Sequence, residues 1–350
     1  MTEATLNKQL GSTIPLVCSV TTVLLATVPV FAAAAQGSSS ASDGTKSATA
    51  ARTTSRWIVP RTPWGDPDLQ GLWPSIDMQG TPYERPSELA GQAVLDDKEF
   101  AARSTAQNAR RRGWGELGIP SRQASLIVEP ADGRLPPLTP EGQARFATAR
   151  STYYLDFPDV VTHHAFDNFE DLGPYDRCIT RGVLASMMPT AYNMGNEIFQ
   201  IPGYVIIRNE MIHETRSIPL DGRAHLGNRI RQYMGDARGH WEGDTLVIET
   251  TNFNGKVGVT RNGNTAPTSS DLRLVERLTR TAADTIQYEA TVNDPRIWVR
   301  PWKVALPLKQ HPEYGMFEYA CHEGNYAMKN ILSAARSDEE KEAVPFPERR

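Results

Sequence analysis

The sequence predicts a mainly β protein: an antiparallel meander closing into a barrel or strongly curved sheet, with an α-helical N-terminal part and a C-terminal helix. Three observations predict it. From Ile198 onward apolar residues recur with period two and are rich in β-branched types. Each such run breaks at a short turn sequence: Pro202-Gly203, Glu242-Gly243-Asp244 and Ala282-Ala283-Asp284. The hairpins follow one another without intervening helices, which makes an antiparallel sheet rather than a parallel one.

The elements follow in chain order. Ile14 to Ala35 is an uncharged stretch of 22 residues, preceded by Lys8 and ending in four alanines. It reads as a secretory signal peptide, residues 1–35, cleaved near Ala35. Its length alone also suits a retained membrane anchor, but Pro15, Pro29 and the alanine run suit a peptidase site better. Residues 36–56 are rich in Ser, Ala, Thr and Gly without a large apolar side chain, as in a disordered linker. Residues 57–160 then hold a proline-rich arm and helices. The arm carries Trp57, Trp64 and Trp73 between prolines, cannot form a helix, and is expected to lie extended across the body. A helix is predicted from Asp97 to Arg112, with Asp96 and Glu99 as a capping box, basic residues Arg110 to Arg112 in the last turn and Gly113 as its stop. Thr139-Pro140-Glu141 opens a second helix running toward Tyr153, with Thr as cap and Pro at the first helical position.

The β-barrel-like domain is placed at 161–337. Beyond the three hairpins it is expected to use strands at Trp302 to Leu308 and Met316 to Cys321. Its seven or eight strands favour a calycin-like barrel. Ala327, Met328, Ile331, Leu332 and Ala335 form one stripe of a closing helix from Asn325 to Arg336, expected to pack on the sheet. Residues 338–350 read as a charged, frayed tail.

Composition excludes several classes. With 37 Lys plus Arg against 41 Asp plus Glu, the net charge is -4, so there is no basic footprint for nucleic acid. Hydrophobic residues make up 39% of the chain, enough for a packed core and against global disorder. Once the leader leaves with Cys18, only Cys178 and Cys321 remain. In an oxidising compartment they are expected to pair, the alternative being two buried thiols.

The chain lacks a phosphate loop, a nucleophile elbow and histidines at metal-binding spacing on a helix. His163 and His164 are adjacent, so a metal site would need His163, His213 and His322 to converge from distant segments; no cofactor is expected. From about Pro63 to Arg336 the chain resembles a family of exported bacterial proteins of unassigned function. Four segments carry the resemblance: DRCITRG (176–182), EMIHETRSIPLDGR (210–223), RQYMGDARGHWEGDTLVIETTNF (231–253) and FEYACHEGNY (317–326). The resemblance implies export but names no reaction.

Candidate site residues are therefore chosen by chemistry. If Tyr204 to Arg216 is one strand, His213 continues the apolar face of Val205, Ile207, Asn209 and Met211, and ends at the barrel mouth. Histidine is the residue type best suited to a general base there. His322 and Glu323 lie where a strand meets the last helix, a junction whose free N–H groups favour an anion, with Tyr326 one turn on. Arg231 and Tyr233 share a face near Asp236, and the Arg fork suits a carboxylate or phenolate. A Cys178–Cys321 bond would bring Arg177 beside the His322 junction, and Met187 and Met188 would line an apolar pocket or fill the core. Each residue also has a structural alternative: a packed histidine, a cap, or an ion pair.

Two functions compete, with a third, cell-envelope interaction through the Trp-rich arm, behind them. One is an exported enzyme using acid-base chemistry on a small, partly apolar or aromatic molecule, as a lyase, isomerase or hydrolase. The other is a periplasmic carrier of calycin type. Convergence of His213, His322 and a carboxylate on one cavity favours the enzyme, and an apolar cavity the carrier. The expected partner is a small molecule, with no nucleic acid and no membrane span after cleavage.

Overall fold

The computed structural model describes residues 57–110, 116, 118–148, 166–259 and 267–343, all within the unit Ser55–Arg350. The predicted leader and linker lie outside the described residues, as do Arg111, Arg112, the stop at Gly113, the end of the second helix near Tyr153, and His163 and His164.

The arm is mostly irregular, with turns and a 3-10 helix at Ile76–Met78 rather than a continuous extended run. Its strand β1 (Gly71–Leu72) pairs antiparallel with a later strand, and Trp73 is fully buried with its indole N–H donated to the Leu69 carbonyl at 2.8 Å. Helix α1 (Asp97–Arg110) begins with the expected capping box: Glu99 N–H donates to Asp96 Oδ1 at 2.8 Å, and Asp96 N–H donates to Glu99 Oε2 at 3.0 Å. A short strand β2 (Ile127–Glu129) precedes helix α2 (Pro140–Thr148), where Gly142 N–H donates to the Thr139 hydroxyl at 3.0 Å. Helix α3 (Val183–Met187) is wholly buried.

The meander then runs β3 (Asn196–Ile201), β4 (Tyr204–Asn209), β5 (Thr215–Pro219), β6 (Asp236–Glu242), β7 (Thr245–Thr251), β8 (Arg273–Ala282), β9 (Thr285–Asn293) and β10 (Trp302–Lys309). Every neighbouring pair is antiparallel, in two sheets ordered β1-β3-β4-β5 and β2-β10-β9-β8-β7-β6. The meander is as predicted; a closed barrel is not seen, because β5 and β6 do not hydrogen-bond. Period-two burial follows from the pleat, most regularly in β9, where every second residue is buried. The inward residues of both sheets, among them Val205, Ile207, Ile218, Leu246, Ile248, Leu274, Tyr288 and Leu306, form one core.

Four local expectations are corrected. Tyr204 to Arg216 is a hairpin, not one strand: β4 pairs with β5 in the register Arg208↔Thr215 around a 3-10 turn at Met211–His213. The faces therefore change across the turn, so Arg216 is buried while Arg208 is exposed. Second, Met316 to Cys321 is not a strand; it runs irregularly, held by side chains described below. Third, helix α4 (Ala327–Ala343) starts later and runs further than expected, taking in six residues of the predicted frayed tail. Its stripe stays partly exposed, and Met328 and Ile331 face Leu172 and Tyr175 across a cleft rather than closing over a sheet. Fourth, Arg231 and Tyr233 precede β6 rather than alternating along a strand.

The Cys178–Cys321 disulfide is formed, with Cα atoms 5.8 Å apart and a sequence separation of 143. Among the described residues no helix is long and apolar enough to cross a membrane.

Candidate functional site

The turn between β4 and β5, Glu210-Met211-Ile212-His213-Glu214, has no Gly, Pro or Asn to ease it. Ile212 and His213 both adopt left-handed backbone, at φ 60° and 46°. For a β-branched residue that conformation is an outlier that the surroundings must hold in place. Much of the hold comes from Glu210, which is almost fully buried. Its carboxylate accepts from Asn193 Nδ2 at 2.9 Å, Gly195 N at 3.0 Å, Phe317 N at 2.9 Å and the Tyr314 hydroxyl at 2.6 Å. Gly195 is needed for that approach, since a Cβ there would stand 2.8 Å from Glu210 Oε2 and 2.9 Å from Met316 Cγ. Burial and the neighbouring carboxylates Glu210 and Glu116 push the Tyr314 phenol well above its usual range, so it stays a donor.

The same contacts anchor the irregular segment after Tyr314 against the turn, and there His213 finds its partner. His213 Nδ1 lies 3.0 Å from the Tyr319 carbonyl. A carbonyl can only accept, so Nδ1 carries the proton, and in the neutral ring Nε2 is left with its lone pair. His213 is exposed and lines a cleft of about 330 Å³ with Arg208, Asn209, Glu210, Met316, Phe317 and Glu318. Behind the turn, Tyr175, Met211 and Ile212 form a small apolar cluster with Tyr192 and Tyr319. Tyr192 and Tyr319 stack with ring centroids 6.2 Å apart. The disulfide ties the loop beneath this cluster to Cys321, two residues beyond Tyr319.

Glu214, on the other side of His213, faces the 176–182 loop. Its carboxylate accepts from the Thr180 hydroxyl at 2.5 Å and from the Arg181 backbone. Burial raises its pKa, offset only in part by Thr180, Arg216, Arg181 and His213. A raised folded pKa means that the native state holds the proton more tightly than the unfolded chain. The stabilisation this represents is complete below the ordinary carboxylate pKa and is lost as pH rises through the folded value. Urea unfolding between pH 4 and 7 should therefore show wild type losing stability relative to Glu214→Gln as pH rises. A difference between the two that stays constant with pH would rule the burial effect out.

The structure disperses the remaining sequence-chosen residues. His322, Glu323 and Tyr326 are exposed and outside this cleft, and the cap of α4 comes from Asn325, whose Oδ1 accepts from Ala327 N at 2.9 Å. Arg231 is spent on the carbonyls of Phe253 and Ser270, and Tyr233 is half-buried. Asp236 is buried and accepts from Leu226 N at 2.8 Å and Arg238 at 2.6 Å. Met187 and Met188 are core residues. Arg177 lines a different cleft from His213. Sequence reasoning missed Glu210, Glu214, Gly195 and Tyr314; the one local sign was a pair of glutamates bracketing Met211-Ile212-His213.

Among the described residues no group of three His, Cys, Asp or Glu side chains is arranged to hold a metal ion. No family model, curated protein or solved structure matches the chain.

Proposed function

We propose that the protein is exported and that its His213 cleft takes a small, partly apolar or aromatic molecule and moves a proton on it, as a lyase, isomerase or hydrolase. The observation that carries this reading is the histidine itself: a cleft-lining ring oriented by the Tyr319 carbonyl, with no hydrogen bond to Nε2 among the described residues and a strained backbone beneath it. Met316 and Phe317 supply apolar wall, and Glu318 a carboxylate at the same cleft. Three of the four segments behind the family resemblance meet around this turn, which suits a shared site. The disulfide and the apolar leader suit an oxidising compartment outside the cytoplasm. The antiparallel meander suits a calycin-like sheet opened between β5 and β6.

A carrier is the second reading, and one observation favours it. The four donors on Glu210 saturate the most buried carboxylate at the cleft, so it has no free role in catalysis. Catalysis then rests on His213. Native mass spectrometry of protein purified from its own host is expected to show a retained small molecule. Supplied in excess, that molecule should be converted by wild type and about 10²- to 10⁴-fold more slowly by His213→Asn, a replacement that tolerates left-handed backbone. Equal turnover in the two proteins would remove His213 from the chemistry. Binding without conversion by either would establish the carrier.

A further inference from the structure

We propose a second ligand site, for an anionic oxygen group, in a cleft of about 550 Å³ that shares no lining residue with the His213 cleft. Arg145, Arg177 and Lys256 all line it. Their states differ. The Arg145 guanidinium is engaged by Glu141 at 3.1 Å and by the Thr268 carbonyl at 3.1 Å. Arg177 has no hydrogen-bonded or ion-paired side-chain partner among the described residues; its guanidinium only faces the Phe169 ring, 6.0 Å from the centroid, and its Nε is enclosed without an acceptor. Lys256 is exposed and has no ion-pair partner among the described residues.

That Nε has no exposed surface, so a ligand in the cleft would be met by the two Nη groups of Arg177, which no hydrogen bond engages among the described residues. Two acidic residues also line the cleft. Asp171 is occupied: its carboxylate closes the turn by accepting from Asp167 N at 2.8 Å and Asn168 N at 3.0 Å. Glu170 lies on an exposed turn whose shape is set by Asn168. The two cations without side-chain partners among the described residues, one a planar fork and one a point charge, match a carboxylate or a phosphate, with Arg177 binding two oxygens and Lys256 the remaining charge. Leu172, Pro174 and Val257 add apolar wall, so the ligand carries an organic part beside its anionic head.

The test is calorimetric titration of the mature full chain at low ionic strength with sodium benzoate and, separately, with inorganic phosphate. Saturable 1:1 binding of at least one is expected, weakened tenfold or more in Arg177→Gln and in Lys256→Gln and unchanged in His213→Asn. Tighter benzoate binding identifies a carboxylate ligand, and tighter phosphate binding a phosphate ester. Circular dichroism checks that Arg177→Gln folds; if it does not, Lys256→Gln, a change at an exposed position, decides. No saturable binding of either anion, or equal binding by wild type and Lys256→Gln, overturns the proposal. Loss of binding in His213→Asn would overturn the separateness of the two sites.

Discussion

Replacing Glu276 by Ala is expected to lower the free energy of unfolding by about 3 to 5 kcal/mol. Glu276 on β8 is fully buried and receives Arg216 of β5 through two bonds, at 2.6 Å and 2.8 Å, plus the Tyr288 hydroxyl of β9 at 3.0 Å. The cluster joins the two sheets through the middle of their shared core. Burial works against the charge on Arg216, but the charge and hydrogen bonds of Glu276 outweigh it and raise its pKa. The Tyr288 phenol is raised too, first by burial and then by Glu276, so it remains a donor. Without Glu276 the buried guanidinium stays charged without its two carboxylate acceptors, the costly half of a broken buried pair. Urea denaturation at neutral pH measures the loss. The double replacement Arg216→Met with Glu276→Leu should regain most of it, because removing both charges removes the desolvation cost. A loss under about 1 kcal/mol in the single variant would mean that water reaches the pair.

The second large effect belongs to the disulfide. Replacing both Cys178 and Cys321 by Ala is expected to destabilise the protein by about 5 kcal/mol in the chain-entropy model, because the bond closes a loop across 143 positions. Its local effect matters as much for the site. Cys321 anchors the segment whose Tyr319 carbonyl orients His213, and Cys178 anchors the loop whose Thr180 bonds Glu214. The variant should therefore lose order at the turn before it loses the six-stranded sheet. Hydrogen exchange at residues 210–214 and 317–321, compared with β8 and β9, reads this directly. Uniform protection in both regions would show that the turn stands without the bond.

The features legible in the sequence are those whose cause is local. Pro202-Gly203 and Glu242-Gly243-Asp244 carry the turn chemistry of their hairpins, and alternation on either side sets which residues face inward. The capping box at Asp96 and Glu99 and the threonine cap at Thr139 act within three residues of themselves. The cysteine pair was only half legible: setting the expected leader aside leaves two thiols, but that arithmetic also allowed two buried free thiols, and the fold decided for the bond. The turn after β4 was not legible, because nothing in Met211-Ile212-His213 favours left-handed backbone. It exists because Asn193, Gly195, Tyr314 and Phe317, distant in sequence, all donate to one buried glutamate. The strand expected at Met316 to Cys321 failed for the same reason: its β-like composition yields to the anchors on Glu210 and His213. His213 could be chosen from sequence by its type, but its orientation, its tautomer and its separation from His322 belong to long-range contacts. Local turn chemistry decided where the hairpins at Pro202-Gly203 and Glu242-Gly243-Asp244 reverse; the tertiary structure alone decided which polar groups meet, because one side chain's hydrogen bonds can outweigh the backbone preference of a whole turn.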